Sequence, residues 1–351
     1  MGMQTLTTDE ARIGKQKGEM ITHSEPVQVL GITGAEKQMD KNMGKQIIFR
    51  RQLPYGATDT AVSGGVDPTD RWTVTANAHL TQEGVTPSAD TLTFHDVPVD
   101  IQQYMCLYGF TDQTYDLYED DIPAEMKTAT GERMGLVKEM VRWGAVKACT
   151  NKFYSGGTTR ATVDQAITLS FLRNITKSLK GNHAKMITRI IDGSDKVGTS
   201  SVEAAYLVFC HTDCEPDIRD LAKFTPVAEY GNRTVVHENE IGSCENFRFI
   251  TSPHLASIID SGASVGTTGL VSTGASQVDV YPVVVAGQDA WCQLGVRNSK
   301  SMDIIWLPPG NKDKSDPGGQ RGYCGAKFYF TAAVLNNGWM AIAEVGATVQ
   351  G

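Results

Sequence analysis

The stretch Asp120–Ala148, DDIPAEMKTATGERMGLVKEMVRWGAVKA, decides how the rest of the sequence is read. Asp120 and Asp121 put negative charge at the positive end of a helix, and Pro123 falls in its first turn, where a missing N–H costs nothing. Met134, Val137, Val141, Ala145 and Ala148 then recur at spacings of three and four, a stripe for one buried face, while Glu132, Lys138, Glu139, Arg142 and Lys147 mostly fall elsewhere. The spacing predicts one long helix of about 30 residues, about 45 Å long at 1.5 Å per residue. Gly131, Gly135 and Gly144 each cost about 1 kcal/mol against alanine, so packing on other elements must hold it together.

Residues 1–48, at the start of the chain, carry six acidic and six basic side chains and no Phe, Trp or Tyr, so they cannot fold alone and read as an arm that orders only against neighbours. From Arg50 to Asp100 short alternating stretches (72–76 and 91–94) are separated by Gly64-Gly65, Asp67-Pro68 and Thr86-Pro87-Ser88, the pattern of a long irregular β-hairpin. Beyond the long helix, Thr162-Val163-Asp164-Gln165 reads as a capping box opening a second helix with Ile167, Phe171, Leu172, Ile175 and Leu179 on one face. Strands are expected at 205–210, 280–286 and 304–307, with Pro282 placing the second of these at an edge or bulge. A helix start follows at Glu215-Pro216. Two strand formers around Asn336-Asn337-Gly338 predict a C-terminal β-hairpin. The layout is α+β.

At 351 residues, with 40% hydrophobic and 21% charged side chains, the chain is long enough for a large core and has an ordinary globular composition. No run approaches the roughly 18 apolar residues of a membrane helix, and residues 1–30 lack the apolar stretch of a secretory signal, so a reducing compartment is expected. Lys and Arg total 32 against 40 Asp and Glu, a formal net charge of −8, which disfavours phosphate-neutralising DNA binding. The seven cysteines are odd in number and contain no Cys-x-x-Cys pair, against both a disulfide framework and a zinc ribbon. No phosphate loop, nucleophile elbow or His-Glu-x-x-His motif occurs. Cys210-His211-Thr212-Asp213-Cys214 is the one cluster with ligand-like chemistry, and its competing reading is a buried strand end followed by a cap. No catalytic, cofactor-binding or metal residue is assigned, and the chain is not expected to be an enzyme.

Three ordered stretches carry a resemblance: Leu80–Pro87, with Gln82 inserted in the usual Leu-Thr-Glu-Gly pattern; His211–Leu221; and Glu240-Ile241-Gly242 leading into Phe247–Ser252. Together they resemble major capsid proteins of tailed bacteriophages, in the family typified by coliphage N-four, with the Hong Kong ninety-seven type capsid fold. The resemblance implies an N-terminal arm (1–48), an extended loop (49–100) lying on an adjacent subunit, and a peripheral domain (101–179) with its spine helix at 119–153. It further implies a mainly axial domain (180–322) and a C-terminal hairpin (323–351) returning to the peripheral domain. The implied function is self-assembly into hexamers and pentamers of an icosahedral head, formed in the host cytoplasm and enclosing double-stranded DNA. The implied partners are further copies of the chain, a separate scaffolding protein, a portal and decoration proteins, with no membrane. Arg50, Arg51, Asp67, Asp70, Arg71, Trp72 and Glu83 are the candidate inter-subunit contacts. No lysine lies between Lys45 and Lys127, so covalent cross-linking through the loop is not expected. A cellular nanocompartment shell and a cytoplasmic zinc enzyme are the alternative readings.

Overall fold

The computed structural model describes residues 28–40, 42–53, 76–86, 89–117, 122–192, 198–231, 233–266, 269–296, 303–312 and 314–350. In chain order the elements are β1 (Ala35–Met39), β2 (Gln46–Gln52), β3 (Phe94–Asp100), β4 (Gln102–Thr111), α1 (Asp112–Leu117), α2 (Ile122–Lys147), β5 (Lys152–Tyr154), α3 (Leu169–Gly181), β6 (Ile187–Asp192) and β7 (Gly198–Cys210). They continue with α4 (Glu215–Arg219), β8 (Phe224–Pro226), β9 (Glu240–Cys244), β10 (Phe247–Thr251), β11 (Tyr281–Ala286), β12 (Trp291–Val296), β13 (Asp303–Leu307), β14 (Arg321–Val334) and β15 (Met340–Val345).

Two sheets form the body. The smaller has five strands, ordered β1-β12-β14-β13 with β4 also on β14, and the larger has eight, ordered β5-β15-β11-β7-β10-β9-β8 with β6 also on β7. The long helix is there, 26 residues from Ile122 to Lys147. Its middle packs Met134, Val137 and Val141 on Tyr104, Cys106, Ala326, Phe328 and Phe330 of the small sheet. Its C-terminal turns instead send Trp143 and Val146 against Leu207, Phe209, Val284 and Ile342 of the large sheet. One helix therefore bridges both sheets, and the expected stripe turns with it: Ala148 is exposed, while Glu139, read as outward, is wholly buried.

Alternation along β7 explains the large sheet. Tyr206, Val208 and Cys210 face a core that includes Leu172, Ile175 and Leu179 of α3 and Ile218 of α4, whereas Leu207 and Phe209 face α2.

Several expectations are corrected. The segment 28–40 does not wait for a neighbour: Val29 and Leu30 are buried in their own chain, and β1 adds in parallel to β12. Residues 1–27 lie outside the described residues. The helix ends at Lys147 rather than 153 because Asn151 turns to donate to the Met340 carbonyl at 2.8 Å and β5 begins at Lys152. The second helix opens at Thr168, whose hydroxyl accepts from the Phe171 N–H, and not at Thr162; Thr162 instead closes a capping box with Thr159 around a 3-10 turn.

Pro282 sits inside the sheet, tolerated because β7 pairs only Val284–Ala286 and leaves the proline's edge free. The C-terminal hairpin is absent: β14 pairs with β4, β12 and β13, and β15 pairs with β11 and β5. Asn336, accepting from the Gly338 N–H, caps a 3-10 turn that carries the chain from one sheet to the other. β12 to β14 build the small sheet and β15 the large one, and α3 packs on the large sheet.

Candidate assembly surface

The extended segment forms a two-stranded ribbon, β2 on β3, in register from Gln46↔Asp100 to Gln52↔Phe94. Cross-strand partners share a face, so the ribbon is two-sided. Ile47, Phe49, Val97 and Val99 turn inward onto Met39, Leu294 and Val296, which anchors its base to the small sheet. The outward face carries Ile48 and Phe94, 57% and 45% exposed, with the Arg50–Asp96 pair between them.

That pair is bidentate, Nε to Oδ1 at 2.8 Å and Nη2 to Oδ2 at 2.9 Å, with the guanidinium also 5.7 Å from the Phe94 ring centroid. Hydrogen bonding to Arg50 holds the Asp96 carboxyl below its usual range. Arg51 stands opposite His95 on the inward face. Glu83 is exposed on a turn closed by the Val85 N–H to the Gln82 carbonyl at 3.1 Å, where Gly84 takes φ +76°. Leu80, Val85 and Leu92 around that turn are exposed as well. Asp67, Asp70, Arg71 and Trp72 lie outside the described residues.

A second apolar surface was not anticipated. On the small sheet, Met105, Leu107, Ile305, Leu307, Tyr323 and Tyr329 share the face turned away from α2, as the registers Leu107↔Gly325↔Ile305 and Tyr323↔Leu307 require. Met105, Leu307 and Tyr329 stay exposed on it around the Lys327–Asp303 ion pair at 3.4 Å, while Ile304, also exposed, lies opposite Ala326 on the helix-facing side at the sheet edge. The helix-facing side is finished by cations instead, with Lys127 4.3 Å from the Trp306 ring centroid and Lys138 4.8 Å from that of Phe328. The sequence does hold a signal for the uncovered face. Residues 104–108, Tyr-Met-Cys-Leu-Tyr, are apolar at every position, which suits a strand covered on both sides.

The Cys210–Cys214 cluster is built into the core. Burial pushes both thiols well above their usual range, so they sit as neutral apolar groups. The His211 Nδ1 accepts from the Asp213 N–H at 3.1 Å, and Asp213 accepts from the Tyr281 hydroxyl at 2.8 Å. Each polar group here has a structural partner, and a metal would need thiolates that this burial disfavours.

The arrangement is two sheets bridged by one long helix, with a two-stranded ribbon and exposed apolar side chains on the ribbon and on the small sheet. The fold is that of bacteriophage capsid proteins. Among solved structures, the capsid of Ralstonia phage GP4 superposes with a TM-score of 0.66 at 10% identity, covering 100% of both chains. The cyanophage Pam1 capsid gives 0.61 at 12% identity, again over 100% of both, and the head of Helicobacter pylori bacteriophage KHP40 gives 0.60 at 11% over 99% of this chain and 98% of that one. In sequence, the chain is 22% identical over 264 residues to the major capsid protein of Pseudomonas phage KPP21. That match spans 68% of this chain and 66% of the relative's length. No protein-family model matches.

Proposed function

We propose that the chain is the major capsid protein of a tailed bacteriophage, a structural subunit that assembles with copies of itself into the hexamers and pentamers of an icosahedral head around double-stranded DNA. The observation that carries the reading is a capsid fold matched over the whole chain together with two apolar faces that a single copy leaves uncovered. The ribbon and the loop it bears would lie on an adjacent subunit, with Arg50, Arg51, Asp67, Asp70, Arg71, Trp72 and Glu83 as contact candidates. The small sheet with α2 would form the peripheral domain and the large sheet the axial domain. A net charge of −8 favours enclosing DNA without adhering to it. The subunit acts as a wall and not as an enzyme, and works with a separate scaffolding protein, a portal and decoration proteins.

The test is electron microscopy and sedimentation of the full chain, alone and with the phage's scaffolding protein. Shells, tubes or capsomers are expected, and a denaturing gel of boiled particles should show only monomer. Ile48→Asp and Leu307→Asp should each stay folded yet fail to assemble, since each removes about 2 kcal/mol of apolar burial per contact and buries a charge. A stable monomer of the unmodified chain in every condition would overturn the proposal.

A further inference from the structure

The parting of β12 and β14 opens a cleft. Their pairing runs from Trp291↔Val334 to Leu294↔Thr331; beyond it Gly295 and Val296 stay with β1, while Phe330 pairs with β4. Helix α2 crosses the gap and leaves a solvent-open cavity of about 260 Å³. Lys138 and Arg142 line it from the helix, Tyr329 and Phe330 from β14, and Glu36, the one carboxylate among the lining residues, from β1.

Lys138 is half-buried in this cleft, its Nζ 4.8 Å from the Phe328 ring centroid. Arg142, one helical turn on, is near enough to repel it, and among the described residues no carboxylate offsets that repulsion. Glu139 is spent on the Val29 and Leu30 amides and on Arg142 itself. Burial first, and the Arg142 charge second, hold the Lys138 ammonium below the usual lysine range. Withdrawing water from an amine and setting a second cation beside it are the two ways a protein turns lysine into a nucleophile. The amine stays reachable, because the cavity it lines opens to solvent. Lys127 supplies the contrast on the same helix: it too sits over a ring, that of Trp306 at 4.3 Å, but it is exposed and lies outside the cleft.

We infer that Lys138 is a modification site, an amine that small acyl phosphates acylate. The Nζ lone pair attacks the acyl carbon, an N–C bond forms and the C–O bond to phosphate breaks. The amine proton departs with the leaving group as hydrogen phosphate, so no other reactant is consumed. Negative charge develops on the acyl oxygen and on the departing phosphate. Arg142 stands beside both with its guanidinium already fixed, Nε on Gln293 at 3.0 Å and Nη1 on Glu139 at 3.2 Å, so it needs no rearrangement to meet that charge. The product is a neutral amide over Phe328, which removes one cation from between α2 and the small sheet. The reactant is a small molecule free in solution, and other copies of the chain take no part in the step.

Competitive labelling tests it. The full chain is exposed to limiting acetyl phosphate, then denatured and acetylated to completion with an isotopically labelled reagent, so that mass spectrometry of the peptides reads the first acetylation at every lysine. Lys138 should react at least about fivefold faster than Lys127, with its rate half-maximal at a lower pH. Gly295 lines the cleft and has nothing within 4 Å of where a Cβ would stand, so a side chain can be added there without displacing another. Gly295→Asp sets a carboxylate in the cleft and should cut the preference to about twofold or less, whereas the uncharged Gly295→Asn should keep it, with circular dichroism verifying both folds. The uncharged donor N-hydroxysuccinimide acetate should favour Lys138 less than acetyl phosphate does. Lys138 reacting no faster than Lys127, or at equal rates in the two Gly295 variants, overturns the site, and an equal preference with both donors overturns the acyl phosphate as its reactant.

Discussion

Replacing Glu139 should detach the segment 28–40 from the body. The carboxylate is wholly buried on α2 and accepts from the Val29 N–H at 2.8 Å and the Leu30 N–H at 2.9 Å through one oxygen, while the other meets Arg142 at 3.2 Å. Arg142 passes the contact to Gln293, whose amide donates to the Gly31 carbonyl at 3.0 Å, so three side chains form a single latch on the backbone of 29–31. Glu139→Ala leaves two buried N–H groups without an acceptor and one guanidinium without its counter-charge, for a loss of about 3–5 kcal/mol. Glu139→Gln keeps an acceptor for the amides but surrenders the charge, at about 1–2 kcal/mol. Urea unfolding of the full chain measures the totals, and hydrogen exchange at Val29 and Leu30 localises them. The alanine variant should lose protection there first. A loss under about 1 kcal/mol, or unchanged protection at those two amides, would refute the latch.

Gly131 and Gly144 have nothing within 4 Å of where a Cβ would stand, so alanine at either should stabilise the chain by about 0.5–1 kcal/mol, read as a rise in melting temperature. Arg160 grips the buried Glu344 with two 2.7 Å bonds and leaves Lys152 at 3.8 Å as its other cation; Arg160→Ala should cost about 3 kcal/mol in denaturant unfolding. Glu245 is held down to about 2 by hydrogen bonds from Arg173 and Lys223. A depressed carboxyl stabilises the fold fully above its ordinary value near 4.5, and that contribution fades as pH falls from there towards 2, so Glu245→Gln should lower the melting temperature at neutral pH, flatten its dependence on pH within that window and converge with the unmodified chain at the acid end.

The elements legible in the sequence were those whose cause is local. Helix α2 follows from its acidic start and three-four spacing, but the ribbon's strands are Gln46–Gln52 and Phe94–Asp100 and not the alternating stretches read at 72–76, of which 72–75 lie outside the described residues, and 91–94. Strand β7 and the helix start at Glu215-Pro216 likewise stand where composition alone puts them. What escaped was set by partners far along the chain. The Asn-Asn-Gly stretch reads as a hairpin because nothing nearby says that β14 is already claimed by β4 and β15 by β11. Segment 28–40 looked too polar to fold, yet Val29 and Leu30 suffice once Glu139 takes their amides. Of the candidate contacts, Arg50 and Glu83 stand exposed in the structure, as loop charges read from the sequence would. Residues 104–108, apolar at every position, hint at the face of β4, but the residues of β13 and β14 that extend it join only after the sheet is assembled.

The registry of the small sheet also fixes an order of events on the ribosome. Trp291 donates to the Thr33 hydroxyl across 258 residues of sequence, and β4 must wait for β14 to emerge. β1 and β4 therefore have no strand partner until most of the polypeptide has been synthesised, a high-contact-order arrangement that folds slowly and keeps apolar edges open meanwhile. Nascent chains crowded on one messenger would meet each other in that state, which calls for chaperone shielding during translation. The same delay keeps the face of β13 and β14 from existing on an unfinished chain, so truncated products lack that surface altogether.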